Sequence, residues 1–298
     1  MNNKFKSGFC SIIGLPNVGK STLLNCIAGQ KIAIISDKPQ TTRNKILAIY
    51  STDEAQIVFT DTPGIHKPHN KLGEFMVKTA KESMMDTDVV LFVVDASKGI
   101  RPLERELAEN IEKLGLPCIL VINKIDIIKK EDLLPMIADF ASIHEFEAII
   151  PISAKEEDGV SALLDNILEY LEEGPMFYDE DTVTDQPEKA IAAEIIREKM
   201  LWLLDKEVPH GIAIEITRMR EKNTVTEIHA TIFCERKTHK GIIIGKNGEM
   251  LKKIGTLARA DIEKMLDKKV YLELWVKVKD DWRNSDFLIK NFGYKEEM

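Results

Sequence analysis

The chain has 298 residues, 44% of them hydrophobic and 30% charged, with 41 Lys+Arg against 49 Asp+Glu and a net charge of −8. That length predicts about two domains of a soluble globular protein, and the acidic balance excludes a uniformly basic, nucleic-acid-coating surface. No apolar run approaches the ~18–20 residues of a membrane span, no leader-like apolar segment is expected ahead of residue 9, and Cys10, Cys26, Cys118 and Cys234 have neither metal-ligand nor disulfide-framework spacing. Three of the four sit inside apolar runs and are expected to pack as small hydrophobes in a reducing compartment.

Residues 9–13 read as a buried strand, followed by Gly14-Leu15-Pro16-Asn17-Val18-Gly19-Lys20-Ser21-Thr22. This is a phosphate loop, G-x-x-x-x-G-K-[ST]. Gly14 and Gly19 let successive backbone N–H groups turn inward on phosphate oxygens. Lys20 supplies a point charge to the outer phosphates, and the Ser21 hydroxyl is placed to ligate Mg²⁺. A helix near 20–29 then directs its N-terminus at the anion. The stretch Gln40-Thr41-Thr42-Arg43 follows. A Thr hydroxyl here would complete the Mg²⁺ shell; Thr42 is favoured, although spacing does not separate it from Thr41.

Two apolar runs at 45–50 and 55–60 flank Ser51-Thr52-Asp53-Glu54 and predict an antiparallel hairpin. The second ends in Asp61-Thr62-Pro63-Gly64. Taken alone this is an ordinary turn; after a strand, Asp61 is placed to hold Mg²⁺ and the Gly64 N–H to meet a γ-phosphate. Lys20, Thr42 and Gly64 are thus the catalytic candidates, and Ser21, Thr42 and Asp61 the metal candidates. Continuous apolar runs at 89–94, 119–122 and 148–152 read as parallel strands buried on both faces. Helical stretches near 70–85, 101–115, 131–144 and 159–171 separate them, giving a doubly wound α/β sheet.

The run at 119–122 leads into Asn123-Lys124-Ile125-Asp126. The Asp126 carboxylate can accept from guanine N1–H and its exocyclic amine, a donor pair that adenine lacks. A site built that way rejects the wrong base by ~10⁴-fold. Asn123 would bridge base and phosphate loop, and the Lys124 stem would cover one face of the ring. Ser153-Ala154-Lys155 follows the last strand, with the Ala154 N–H facing guanine O6. All these motifs follow strand ends, where open α/β sheets bind ligands.

Residues 173–187 collect Asp179, Glu180, Asp181 and Asp185 between Gly174-Pro175 and Pro187, and read as an acidic linker. The expected domains are 1–172 and 188–298. The charge divides unevenly, with 22 basic and 19 acidic residues in 188–298, and 10 basic against 4 acidic in 236–269. The second domain reads as α+β: a helix carrying Ala192, Ile196, Met200 and Leu203 at helical spacing, β-rich stretches near 212–218 and 225–235, and a helical region over 240–265 broken at 245–248. Val270, Leu272, Leu274, Val276 and Val278 then alternate as a half-buried strand. The break is Gly245-Lys246-Asn247-Gly248, followed by Lys252, Lys253 and Arg259. A Gly-x-x-Gly turn between helices can press on a nucleic-acid backbone, beside a groove for about four unstacked nucleotides.

In order, 14–21, Thr42, Asp61–Gly64, Asn123–Asp126 and Ser153–Lys155 resemble the five guanine-nucleotide motifs of translation-factor-related GTPases. Ile65 departs from the Ras-like pattern, in which a Gln orients the attacking water. This is similar to a subgroup with a hydrophobic residue there, some of whose members use a phosphate-loop Asn, here Asn17, to help hold K⁺. The resemblance therefore implies Mg²⁺, extends to K⁺, and predicts slow intrinsic hydrolysis. Residues 190–280 resemble a type II KH domain. The whole chain resembles the Era family of bacterial GTPases. That resemblance implies binding of GTP and GDP, contact with the 3′ region of small-subunit ribosomal RNA, and a role in assembling the small ribosomal subunit. It also implies a cytoplasmic monomer that can associate peripherally with the inner membrane. Alternatives are a GTPase acting on tRNA or another RNA, and a GTP-dependent protein-interaction scaffold.

Overall fold

The computed structural model describes residues 5–64, 68–83, 87–113 and 115–294. Packing divides the chain into two units. The first comprises Met1–Ala33, Thr42–Lys67 and Met76–Asp185; the second comprises Ile34–Thr41, Pro68–Phe75 and Gln186–Met298.

The first unit is built on six strands: β1 (Lys6–Ile13), β2 (Ile46–Ser51), β3 (Ala55–Asp61), β4 (Val89–Asp95), β5 (Cys118–Asn123) and β6 (Ala148–Ile152). Their order is β2-β3-β1-β4-β5-β6. The hairpin β2–β3 is antiparallel, with Ile49 opposite Val58, and every other pairing is parallel. Between the strands stand α1 (Lys20–Ala28), α2 (Lys71–Glu82, whose residues 71–75 fall in the second unit), α3 (Pro102–Glu112) and α4 (Lys130–Ala141), and α5 (Val160–Glu169) follows β6. Residues 89–94 of β4 are fully buried, which is why that strand is apolar without alternation. Leu23, Leu24 and Ile27 of α1 and Leu163 and Ile167 of α5 close the core. Cys10 and Cys118 are buried free thiols, and burial pushes Cys118 up to about 12.

The chain leaves β1 in both directions across the sheet, toward β3 on one side and β4 on the other. That reversal opens a crevice beyond the carboxyl ends of the strands. Ile12 pairs with Asp61, Asp95 with Asn123, and Asn123 with Ile152. The motifs that follow these strands therefore emerge at one edge.

The acid-rich stretch expected as a linker over 173–187 is tied to this sheet as far as Asp185. Ile49 N donates to Val183 O at 2.9 Å, and Thr184 Oγ1 donates to Leu47 O at 2.7 Å. The buried Gln56 amide holds the backbone of Phe177 and Tyr178. These contacts cover the outer edge of β2, which would otherwise present unpaired backbone groups.

The second unit contains α6 (Glu188–Leu203), β7 (Ile212–Glu221), β8 (Val225–Cys234), α7 (Lys237–Ile244), α8 (Glu249–Leu266), β9 (Lys269–Val278) and α9 (Asp286–Asn291). Its sheet runs β7-β8-β9, antiparallel then parallel. Ala192, Ile196 and Met200 of α6 and Ile254, Ala258 and Ile262 of α8 pack on Ile228, Ala230 and Ile232. Leu203 is only partly buried. After β9 the chain buries Trp282 completely, with its Nε1 donating to Gly211 O at 2.9 Å and its ring against Phe292 and Tyr294. The sequence reading assigned nothing to this tail.

Candidate functional site

The phosphate loop runs from the end of β1 into α1. Gly19 has φ +100°, and a Cβ there would lie 2.2 Å from Asn123 Nδ2. That amide donates to Val18 O at 2.9 Å, binding the loop to the end of β5. Lys20 is buried, and its ammonium donates to Gly14 O at 3.0 Å and Leu15 O at 3.1 Å. Burial lowers its pKa, partly offset by Asp61.

Three oxygen-bearing side chains converge beside it. Ser21 Oγ donates to Asp61 Oδ2 at 2.7 Å, lies 3.0 Å from Thr42 Oγ1, and Thr42 Oγ1 is 3.3 Å from the same carboxylate oxygen. The Thr41 hydroxyl instead donates to Lys38 O at 2.6 Å. Asp61 is fully buried, and its Oδ1 has no hydrogen-bond partner among the described residues. Burial raises its pKa against the opposing pull of Lys20, Ser21, Thr42 and the Thr62 N–H. A buried carboxylate oxygen without a donor, next to two hydroxyls, is the donor set of a hard divalent cation that takes oxygen ligands. Thr62 is buried, with its hydroxyl on Ile12 O, and a Cβ at Gly64 would press on Pro16 at 3.0–3.2 Å. Ile65 lies outside the described residues.

The base-side motifs form a second cluster. Asn123 Oδ1 accepts from Lys124 N at 2.8 Å and Ala154 N at 3.0 Å. Ser153 Oγ donates to Asp126 Oδ1 at 2.7 Å, fixing the carboxylate. Lys124 Nζ donates to Asn17 O at 2.6 Å and Asp95 Oδ2 at 2.7 Å, so its stem spans from β5 back to the phosphate loop. Ile125 opens the short 3₁₀ turn that carries Asp126, whereas Lys155 is exposed and pairs with Glu156. Asp95 went unread in the sequence. Burial would raise its pKa, but hydrogen bonds from Lys124 and Ser97 overcome this and lower it. The available signal was an acid closing the apolar run of β4.

In the second unit, the Gly245–Gly248 break has Gly245 at φ +73°, Asn247 at +51° and Gly248 at +80°. A Cβ on Gly245 would lie 2.7 Å from Met250 Cβ. The turn opens a groove of about 400 Å³ between α8 and β9, lined by Gly248, Lys252, Gly255, Thr256, Arg259 and Leu274 among others. Lys252, Thr256 and Arg259 share a face because they stand at i, i+4 and i+7. Lys246, Asn247 and Lys253 are exposed but outside the groove lining.

Residues 9–124 match the family model described as "50S ribosome-binding GTPase", and residues 207–283 match that of the KH domain. GTPase Era of Ruminiclostridium cellulolyticum is 53% identical over 292 residues, covering 98% of each chain. The chain belongs to the Era GTPase family. It is therefore a GTPase, carrying a KH domain after its GTP-binding domain. A solved Aquifex aeolicus Era bound to GDP.AlF4- is similar at 44% identity and a TM-score of 0.94, covering 97% of this chain and 99% of that one. A second Era structure, in complex with MgGDPNP and nucleotides 1506–1542 of 16S ribosomal RNA, has the same identity, TM-score and coverage. In Era-family terms, the oxygen cluster and the Asn123–Asp126–Ser153 cluster belong to the GTPase domain, and the Gly245–Gly248 groove to the KH domain.

Proposed function

We propose that this GTPase binds GTP with Mg²⁺ and uses its KH groove to hold single-stranded RNA at the 3′ region of small-subunit ribosomal RNA during assembly of that subunit. Phosphates would lie on residues 14–22, guanine on Asp126 with Ser153 and Ala154, and Mg²⁺ on Ser21, Thr42 and Asp61. The metal, when bound, bridges and neutralises the outer phosphates. Lys20 and the Gly64 N–H would bear on the γ-phosphate. Ile65 carries no group that can orient water, which fits slow intrinsic turnover. The KH-bound RNA assignment draws on the Era complex with 16S ribosomal RNA.

The observation that carries the reading is the groove beside Gly248. It presents Lys252 and Arg259, with Thr256 and a single acid, Glu273, among the apolar side chains Leu251, Leu272 and Leu274 beside a Gly-x-x-Gly turn, an arrangement suited to holding an RNA backbone with its bases splayed. Finer parts of the proposal are a K⁺ site that uses Asn17, a monomeric state, and a cytoplasmic location with peripheral inner-membrane association. Among the described residues, no helix is long and apolar enough to cross a membrane.

The test is Gly248→Asp in the full chain, with RNA crosslinked in cells and sequenced. A Cβ at Gly248 meets nothing within 4 Å, but its φ of +80° strains any side-chain-bearing residue, so Lys252→Glu in the same groove is run beside it as a charge change without backbone strain. Loss of 16S 3′-end crosslinks is expected, with GTP turnover of the same sample reporting that the chain is folded. Crosslinks to tRNA in the unmodified protein, or undiminished 16S crosslinks in the variant, would overturn the reading. Replacing K⁺ by Na⁺ at constant ionic strength should slow turnover if Asn17 helps hold a monovalent ion.

A further inference from the structure

Asp95 closes β4 on the row where β5 ends. It stands opposite Asn123 in the parallel pairing, and Ala96 N donates to Asn123 O at 2.9 Å. The base-side motif therefore begins beside this acid, and both lie in the first unit. Asp95 is 5% exposed, and its two carboxylate oxygens have separate tasks. Oδ1 accepts from Ser97 N at 2.9 Å and from Ser97 Oγ at 2.7 Å. Oδ2 accepts from the Lys124 ammonium at 2.7 Å. The turn after β4 thus fixes the carboxyl group by one oxygen and leaves the other for the lysine.

Lys124 needs such a hold. Its φ is +68°, a left-handed conformation that a side-chain-bearing residue keeps only when its surroundings impose it. Ordering its long stem costs up to ~2 kcal/mol of rotamer entropy. Two acceptors offset this: Asn17 O at 2.6 Å, on the phosphate loop, and Asp95 Oδ2, on β4. The first is a neutral carbonyl. The second is ionised, and a bond between two charged groups is roughly twice as strong. Asn123, next in the chain, takes the neighbouring loop carbonyl, Val18 O, at 2.9 Å. Two consecutive residues at the end of β5 thus grip two consecutive carbonyls of the phosphate loop, and the lysine ties β4 to the same point.

We propose that Asp95 is a positioning residue for guanine-nucleotide binding: it fixes the Lys124 ammonium so that the lysine stem lies across one face of the base. This rests on the reading above that guanine lies on Asp126. Asp95 touches no nucleotide in this role. It acts on the face of the purine ring, which guanine and hypoxanthine share, whereas Asp126 reads the exocyclic amine that hypoxanthine lacks. Asn at 95 keeps an acceptor for the lysine without the charge, and Leu keeps neither. Once the Lys124 ammonium is gone, the Asp95 carboxylate is a buried charge that has lost its cation, so an apolar residue at 95 is then tolerated.

The test measures GDP and inosine diphosphate binding by calorimetry in the full chain. The variants are Asp95→Leu, Asp95→Asn, Lys124→Met and the Asp95→Leu/Lys124→Met double variant, with Asp126→Asn as the reference. Asp95→Leu should weaken both nucleotides by the same factor, about 10-fold, the scale of a lost charged hydrogen bond. Their affinity ratio should then match that of the natural chain, while Asp126→Asn should lower the preference for GDP. Asp95→Asn should fall between Asp95→Leu and the natural chain. In the Lys124→Met background, Asp95→Leu should weaken binding no further. If Lys124→Met and Asp126→Asn both leave GDP binding unchanged, the guanine-site reading fails. If those two act and Asp95→Leu and Asp95→Asn do not, the positioning role fails. An Asp95→Leu loss of equal size with and without the Lys124 ammonium also overturns it, since a purely structural contribution produces that result. So does an Asp95→Leu change in the ratio of the two nucleotides. Should Asp95→Leu not fold, Asp95→Asn carries the same comparisons.

Discussion

The side chain of Asn123 occupies the space that any side chain at Gly19 would need: a Cβ at 19 would stand 2.2 Å from Asn123 Nδ2, the same amide that donates to Val18 O at 2.9 Å. The phosphate loop and the base-reading motif are thus one mechanical object, although 105 residues separate Val18 from Asn123. Gly19 also sits at φ +100°. Gly19→Ala must therefore strain its own backbone and displace Asn123. The backbone strain alone costs about 1–3 kcal/mol, or about 10- to 100-fold in nucleotide affinity. Calorimetric titration with GDP checks this, and unchanged affinity would show that the loop adapts.

Asp126 Oδ1 accepts from the Ser153 hydroxyl at 2.7 Å. Asp126→Asn replaces one acceptor by a donor, which opposes the guanine amine and suits the C2 carbonyl of xanthine. GTP affinity should fall by at least ~10²-fold, with measurable binding of xanthosine triphosphate. Competition between the two nucleotides reads this directly.

Asp61 sets function against stability. Burial raises its pKa above 3.8, so the ionised carboxylate destabilises the folded chain at neutral pH. The sign follows from linkage: a group with a raised folded pKa favours folding at low pH and loses that contribution as pH rises through the folded value. Asp61→Asn should therefore melt higher than the natural chain without nucleotide. It should also lose the stabilisation by GTP and Mg²⁺, which at 100 times Kd is about 2.7 kcal/mol. Melting curves with and without the ligand test both halves.

Glu227 behaves in the opposite sense. Lys222 at 2.7 Å and His229 Nε2 at 2.9 Å, with Arg218 beyond them, hold its carboxyl down to about 2. Glu273 on β9 meets the other nitrogen of the same imidazole at 3.0 Å. A lowered folded pKa gives stability that is present above the unfolded value of 4.5 and lost as pH falls toward 2. Glu227→Gln should lower the melting temperature at pH 7, and its difference from the natural chain should shrink between pH 4.5 and 2.

The α/β sheet was legible because parallel strands covered on both faces must be apolar throughout, as residues 89–94 are. The nucleotide motifs were legible because phosphate and guanine recognition tolerate few residue types at fixed spacing. Thr42 against Thr41 was not legible, since neighbouring hydroxyls look alike until one turns to Asp61 and the other to Lys38. Nor was the tail, where Trp282 finds the Gly211 carbonyl 71 residues earlier.

The sequence by itself determined two domains, the guanine-nucleotide motifs and the Gly-x-x-Gly turn, because local backbone needs and hydrophobic period are written into neighbouring residues. Tertiary structure alone decided which charges are interior. Arg197, Glu198 and Lys199 read as an ordinary polar stretch of helix, yet all three are at most 2% exposed. Some partners are neighbours on the same helix, Glu194 for Arg197 and Glu198 for Lys199, and the others lie on distant elements, loop 34–41 for Arg197 and Glu198 and Asp261 for Lys199. A buried charge is tolerated only where distant groups compensate it, and no local pattern encodes where those groups will be.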